Sequence, residues 1–252
     1  MDCNSVDELC YSMTNLDLTY KKDDVIKIQK WFRGCLWRLY QLPLIMYKMK
    51  RYLKNEIIQF SKQTDDGRIN SSIDEKLIID LLVSKFKDKI RVPKIRMWYD
   101  ILVFDYRYGW IPMNIKTTTM TTTDNTGNLA MCVYSYTDEN LDLNKCYENG
   151  KMSEILFKKL QNKEYNKDNK KDYYFLVLNK NNPREIIINS VKGLTDLTPN
   201  INNLPFQVCW SKNKVFQYGC IQDKIKLFIN CLIKPKPSWK ETFMKNIRTL
   251  NY

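Results

Sequence analysis

The stretch that decides the fold runs Trp98-Tyr99-Asp100-Ile101-Leu102-Val103-Phe104 and then, after a turn, Trp110-Ile111-Pro112-Met113-Asn114-Ile115-Lys116. Both halves are rich in aromatic and β-branched residues, and the segment 106–109 between them has the composition of a turn, which predicts a β-hairpin. Side chains alternate along a strand, so Asn114 and Lys116 lie on one face. The sequence therefore predicts an acid, Asp100, on one strand and an Asn-x-Lys triplet on its neighbour.

The segments around this hairpin predict a mixed sheet flanked by helices. Ser71-Ser72-Ile73-Asp74-Glu75 has the pattern of a helix start, and the apolar positions that follow it continue a helix to about Lys89. Further strands are expected at Tyr173–Leu178 and Glu185–Asn189, and a helix at Gln222–Ile233. The predicted fold class is α/β, in the sense of an α+β mixed sheet.

Composition excludes several kinds of chemistry. The chain of 252 residues has no histidine, which rules out Ser-His-Asp and Cys-His hydrolase sites and histidine-metal sites. Its eight cysteines are scattered and form no C-x-x-C pair, so a zinc site is disfavoured and an intracellular location with reduced thiols is expected. There is neither an apolar run of about 18 residues nor a signal-peptide pattern, so no membrane partner is predicted.

Charge points to a polyanionic partner. Lys and Arg number 41 against 28 Asp and Glu, a formal net charge of +13, which is typical of proteins that bind nucleic acid. Residues 21–62 carry eleven bases and three acids, and 11 − 3 gives +8. We predict that this segment is a helical arm, interrupted at Pro43, and that residues 67–252 form the main domain beyond an arm of residues 1–66. Four basic residues of the arm are expected to track a DNA backbone, namely Lys48, Lys50, Arg51 and Lys54.

The arm contains a second pattern. Its helix fits the spacing I-Q-x-x-x-R-G-x-x-x-R with Ile28, Gln29, Arg33, Gly34 and Arg38. This spacing resembles the IQ motifs that calmodulin-like proteins bind, where apolar anchors fill the lobes of the partner. The alternative interpretation is a basic amphipathic helix that packs on the main domain or lies along a phosphate backbone.

The hairpin and two later segments resemble a known superfamily. Pro112–Lys116 reads P-I-N-I-K, the threonine-rich segment 117–125 ends in Asp-Asn, and the segment 203–210 reads N-L-P-F-Q-V-C-W. In this order the segments resemble the PD-(D/E)xK nucleases, and in particular type II restriction endonucleases that carry P-[IV]-N-I-K. The resemblance covers roughly residues 68–212. It also suggests a large DNA virus as the source, with the protein acting in the cytoplasm or nucleus of the host or packaged in the virion.

The resemblance implies a catalytic site that uses Mg²⁺ or Mn²⁺. Asp100, Asn114 and Glu75 are the implied metal ligands, because Mg²⁺ prefers oxygen donors. Lys116 is implied to hold or deprotonate the attacking water and to offset charge on the phosphate. Most members of the superfamily have an acid where this chain has Asn114, and an amide oxygen brings no negative charge to the metal.

The resemblance also implies how double-stranded DNA is bound. The hydroxyls of Thr117, Thr118 and Thr119 are candidates for phosphate contacts, and Gln207 is a candidate for reading adenine in the major groove. A homodimer would suit the cutting of both strands.

Each of these residues also has a purely structural interpretation. Asp100 could be a strand residue whose carboxylate is hydrogen-bonded within the protein, and Lys116 could be a lysine at the end of a strand. Asp124-Asn125 could be the cap of a helix over residues 127–136. The main alternative function is a catalytically inactive protein on the same fold that binds DNA or a calmodulin-like partner.

Overall fold

The computed structural model describes residues 26–27, 42–61, 67–200, 205–233 and 247–249. The chain divides into two compact units, Met1–Gln41 and Leu42–Tyr252. In the first unit only Ile26 and Lys27 are described, and both are helical. The candidate IQ residues Ile28, Gln29, Arg33, Gly34 and Arg38 therefore lie outside the described residues.

The described residues of the second unit form helices on both sides of a mixed sheet. The helices are α1 (Leu44–Asn55), α2 (Gly67–Phe86), α3 (Leu129–Tyr136), α4 (Asn149–Gln161) and α5 (Ile221–Ile233). The strands are β1 (Ile90–Arg91), β2 (Ile101–Asp105), β3 (Gly109–Thr118), β4 (Thr123–Asn125), β5 (Tyr174–Asn179), β6 (Asn182–Ser190), β7 (Thr198–Pro199) and β8 (Phe206–Cys209). None of these helices combines the length and the apolarity needed to cross a membrane.

The main sheet has the strand order β1-β2-β3-β5-β6. Neighbouring strands are antiparallel except β3 and β5, which run parallel because α3 and α4 lie between them in the chain. A smaller sheet has the order β4-β8-β7. The predicted α+β mixed sheet is thus confirmed.

The predicted hairpin is present as β2 and β3. Its turn is closed by a hydrogen bond from the Tyr108 N–H to the Asp105 carbonyl, and the Asp105 carboxylate accepts from the Arg107 N–H at 2.9 Å. Gly109 ends the turn with φ +72°, a left-handed conformation that favours glycine. The turn therefore sets the register in which Met113 faces Ile101.

Two hydrophobic clusters separate the faces of the main sheet. On the face that we call the first face, Val103, Met113 and Leu176 pack with α1 and α2. On the second face, Leu102 and Phe175 pack with α3, α4 and α5. Each strand supplies alternate residues to the two clusters, as a sheet buried on both sides requires.

Two predicted boundaries differ from the structure. The main unit begins at Leu42 and not at residue 67, because four side chains of α1 are buried in the first-face core, namely Ile45, Met46, Met49 and Leu53. Helix α2 begins at Gly67, a turn before the expected start at Ser71. The segment that the charge count predicts as an arm thus includes a helix of the main fold.

Substitution of Met49 tests whether α1 belongs to the core. Met49 is fully buried, so Met49→Ala should lower the free energy of unfolding of the full chain by about 2–5 kcal/mol. The neighbouring Lys48 is exposed, and Lys48→Ala should change it by less than about 0.5 kcal/mol. Denaturant titration measures both values, and equal effects would contradict the placement of α1.

Candidate active site

Helix α2 and strand β3 bring Glu75 and Lys116 together. The Lys116 Nζ lies 3.3 Å from Glu75 Oε1, and both side chains are about one fifth exposed. The Glu75 carboxylate also accepts a hydrogen bond from the Thr117 backbone. Helix α2 packs on the first face of the sheet and Lys116 leaves β3 on the second, so this ion pair links the two elements at the cleft described below.

Asp100 is fixed by the backbone of β3. Its N–H donates to the Met113 carbonyl at 3.0 Å, which extends the β2–β3 ladder by one residue. Its Oδ2 accepts from the Ile115 N–H at 2.8 Å. This hydrogen bond holds the carboxylate beside β3, at the residue that lies between Asn114 and Lys116.

Asn114 has an unusual environment. It pairs with Phe175 on β5, and its buried Oδ1 has no hydrogen-bond partner among the described residues. Its side chain interacts with the hydroxyl of Tyr173 and lowers the pKa of that group, which burial otherwise raises strongly. The Tyr173 hydroxyl in turn donates to the Trp98 carbonyl at 3.1 Å. Leaving a buried acceptor without a donor costs free energy. The Asn114 Oδ1 is therefore available to coordinate a cation.

The charges of the site interact with one another. Burial raises the pKa of Glu75 and that of Asp100, and the Lys116 ammonium lowers both. The negative charge of Asp100 further raises the pKa of Glu75. Asp124 on β4 belongs to the same electrostatic cluster, because Lys116 lowers its pKa while burial raises it. One lysine thus lies among three partly buried carboxyl groups, an arrangement that favours a further cation.

The donor set consists of oxygen atoms. In the parts of the chain that the structure describes, no group of three or more His, Cys, Asp or Glu side chains is close enough to hold a metal ion. Glu75 and Asp100 supply carboxylates, and Asn114 supplies an amide oxygen without a partner. These are hard donors of the kind that Mg²⁺ accepts while it keeps several water ligands. The residues present fit such an ion.

The four residues line one open cleft of about 830 Å³. Its wall includes the segment 92–100, which connects β1 to β2, and residues from the first half of α2 between Ser72 and Ile79. Three exposed basic residues contribute to this lining, namely Lys76, Lys94 and Arg96. These three residues are not among the ligand-binding residues predicted from the sequence, although Lys94 and Arg96 form a short basic run a few residues before Asp100.

The second resembling segment also reaches the cleft. Strands β4 and β8 pair so that Asn125 faces Gln207, and the Gln207 Nε2 donates to Asn125 Oδ1 at 2.7 Å. Asn200 donates to the same oxygen at 3.1 Å, and Asn125 itself lines the cleft. Asp124 and Asn125 belong to a strand, and the helix after them is capped by Asn128, which accepts from the Met131 N–H. The interpretation of Asp124-Asn125 as a helix cap is therefore wrong.

Two of the three candidate threonines are buried and hydrogen-bonded within the protein. Thr117 and Thr118 are buried, and their hydroxyls donate to the Ser71 carbonyl and to Asp124 Oδ1. Contrary to the prediction, neither is exposed enough to contact a phosphate, because neighbouring residues of β3 point to opposite faces of the sheet and both faces are covered here. Thr119 follows the end of β3 and is exposed.

The basic residues of α1 do not join the site. Lys48, Arg51 and Lys54 are exposed, and Lys50 is half-buried with a pKa that burial lowers. Helix α1 packs on the first face of the sheet, whereas Asn114 and Lys116 leave β3 on the second. The four basic residues therefore lie on a helix that covers the other face of the sheet, and their expected contact with a DNA backbone stays a prediction.

Removal of the lysine charge tests the electrostatics. In Lys116→Met the pKa of Glu75 and that of Asp100 should both rise, because the ammonium that favours their charged forms is lost. Carboxyl ¹³C chemical shifts followed against pH measure the two values. The control Lys226→Met, at an exposed position of α5, should leave them unchanged. Identical titration curves in all three proteins would contradict the clustering.

Comparison with known proteins gives no relative from which a function could be inferred, so the proposal below rests on the geometry of the site. No family model, curated protein or solved structure matches this chain.

Proposed function

We propose that the protein is a metal-dependent endodeoxyribonuclease of restriction-enzyme type. The observation that carries the proposal is the convergence of Glu75, Asp100, Asn114 and Lys116 on one cleft. These residues come from a helix, a strand edge and the neighbouring strand, and 41 positions separate Glu75 from Lys116. They are the residues that the PD-(D/E)xK resemblance implies, and the mixed sheet flanked by helices is the architecture that it requires.

A divalent cation, Mg²⁺ or Mn²⁺, is part of the proposal. Asp100, Asn114 and Glu75 would hold it, since each offers an oxygen at the cleft and Asn114 Oδ1 has no hydrogen-bond partner in the part of the chain that the structure describes. When bound, such an ion polarises the scissile phosphate and makes water more acidic. The Ile115 N–H holds the Asp100 carboxylate in place for this role.

Lys116 would act on the attacking water and on the phosphate. Glu75 holds its ammonium by an ion pair at 3.3 Å, which restrains a flexible side chain that lines the cleft. From this position the ammonium can orient water by hydrogen bonding and offset the negative charge that builds up on the phosphate oxygens. Asp124, on β4 of the smaller sheet, is a further carboxyl group that interacts with this ammonium.

The substrate would be bound by the cleft and its rim. Lys76, Lys94 and Arg96 supply positive charge beside the catalytic residues, which suits a phosphate backbone. Thr119 and Gln207 are exposed enough to contact DNA, although Gln207 shares its amide with Asn125. The rim of the cleft, and not helix α1, is thus the proposed path of the DNA.

Cleavage assays test the enzyme directly. With plasmid DNA and Mg²⁺ or Mn²⁺, Lys116→Ala should cut about 10²- to 10⁴-fold more slowly than the wild type. The variant should still bind DNA. Asp100→Ala should behave in the same way, because it removes a carboxylate from the ligand set. Lys226→Ala serves as the matched lysine control and should cut normally. If wild type and Asn114→Asp both leave all DNA intact, or if Lys116→Ala cuts as well as wild type, the proposed activity is wrong.

The metal site can be tested without activity. Asn114→Asp adds a negative charge beside two partly buried carboxyl groups, so the variant should unfold at a lower temperature than the wild type in EDTA. Mg²⁺ should stabilise the variant more than the wild type, and a ligand at 100 times its Kd contributes about 2.7 kcal/mol. Thermal unfolding with and without Mg²⁺ measures both effects.

The matched control for this substitution is Asn181→Asp, which adds the same charge in the exposed turn between β5 and β6. Its response to Mg²⁺ should equal that of the wild type. A melting temperature that is insensitive to Mg²⁺ in both the wild type and Asn114→Asp would refute the metal site.

A further inference from the structure

The hairpin carries a row of aromatic and basic side chains beyond the cleft. The Arg91 guanidinium lies 3.8 Å from the centre of the Trp110 ring, and the Phe104 and Trp110 rings are 5.2 Å apart. Phe104 contacts Tyr106 edge to face at 5.5 Å, and the Lys89 ammonium lies 5.0 Å from the centre of the Tyr106 ring. We call the row Arg91, Trp110, Phe104, Tyr106 and Lys89 the hairpin ladder.

The ladder belongs to the same face of the sheet as the catalytic residues. Phe104 follows Leu102 by two positions on β2, and Trp110 packs against the second-face core to which Leu102 belongs. Arg91 pairs with Leu102 across β1 and β2 and therefore shares its side. Trp110 is four residues from Asn114 along β3, a distance on the order of 13 Å. The ladder therefore lies on the same side of the sheet as Asn114 and Lys116.

The ladder is accessible and positively charged. Tyr106 is 85% exposed at the tip of the hairpin, Arg91 is exposed as well, and Lys89 is half-buried. Within the described ranges neither of these two cations has an ion pair with a carboxylate. A highly exposed tyrosine flanked by cations offers a flat apolar ring together with charges that attract phosphate.

We infer that the hairpin ladder binds unpaired nucleotides of the nucleic-acid substrate, next to the cleft that cuts it. The inference rests on the proposed function and narrows its substrate to DNA that contains or exposes a single-stranded segment. Exposed rings bind nucleic acid by stacking on bases, and only unpaired bases present a free face. Interleaved cations contact the backbone between those bases, and a groove that combines the two features follows a single strand without strong sequence preference.

Binding measurements in EDTA test the inference apart from cleavage. Fluorescence anisotropy with labelled oligothymidylate, and with a duplex of equal length, gives the Kd of the full chain for each form. Tyr106→Ala should weaken binding to oligothymidylate by about 5- to 150-fold and leave duplex binding nearly unchanged. Tyr106→Phe keeps the ring and should bind like the wild type. An oligouridylate arm shows whether the ladder also accepts RNA, whose bases offer the same stacking.

The matched control is Tyr47→Ala, at an exposed tyrosine of α1, which packs on the other face of the sheet. It should bind oligothymidylate like the wild type. The inference is overturned if the wild type does not bind oligothymidylate, if Tyr106→Ala binds as tightly as the wild type, if Tyr47→Ala loses as much affinity, or if Tyr106→Ala weakens single-strand and duplex binding equally. If the wild type cuts no DNA but Tyr106→Ala selectively loses single-strand binding, the nuclease proposal fails and the ladder is still supported.

Discussion

The hydrogen bond from the Ile115 N–H to Asp100 Oδ2 is the contact on which the site depends. It ties the residue before β2 to the middle of β3, between the two residues that share the cleft with Asp100. An Asp at this position accepts from a backbone N–H that the hydrogen bonds between β2 and β3 would otherwise leave without a partner. A charge-assisted hydrogen bond of this kind is stronger than a neutral one. The same contact therefore completes the hairpin and fixes the carboxylate.

Electrostatics of the site follow from its burial. Glu75, Asp100 and Asp124 all have raised pKa values, because the surrounding protein removes water from their carboxyl groups. Lys116 interacts with all three and offsets part of this effect. A site with several carboxyl groups, one lysine and, among the described residues, an amide oxygen without a donor has a deficit of positive charge, which a divalent cation would relieve.

The surface around the site gives the positive charge of the chain a specific meaning. The net charge of +13 alone indicates only a polyanionic partner. Lys94 and Arg96 stand at the cleft, and Arg91 and Lys89 stack on aromatic rings of the hairpin on the same side of the sheet. The four basic residues of α1, in contrast, lie on the helix that covers the other side. Where the charges stand thus matters more for substrate binding than how many there are.

The sequence by itself determined the hairpin, its turn and the shared face of Asn114 and Lys116, because alternation and turn propensity are local properties of the chain. The strands 174–179 and 182–190 and the helix 221–233 were predictable for the same reason. The resemblance to a nuclease superfamily supplied Glu75, which no local pattern links to Lys116.

Only the tertiary structure decided which residues are available. It buried Thr117 and Thr118, placed α1 in the core, and joined Asn125 to Gln207 across 82 positions of the chain. It also assembled the hairpin ladder, in which Arg91 reaches Trp110 from another strand. Burial and contacts between distant segments depend on how helices and sheets pack, and the periodicity of a single segment carries no information about its neighbours in space.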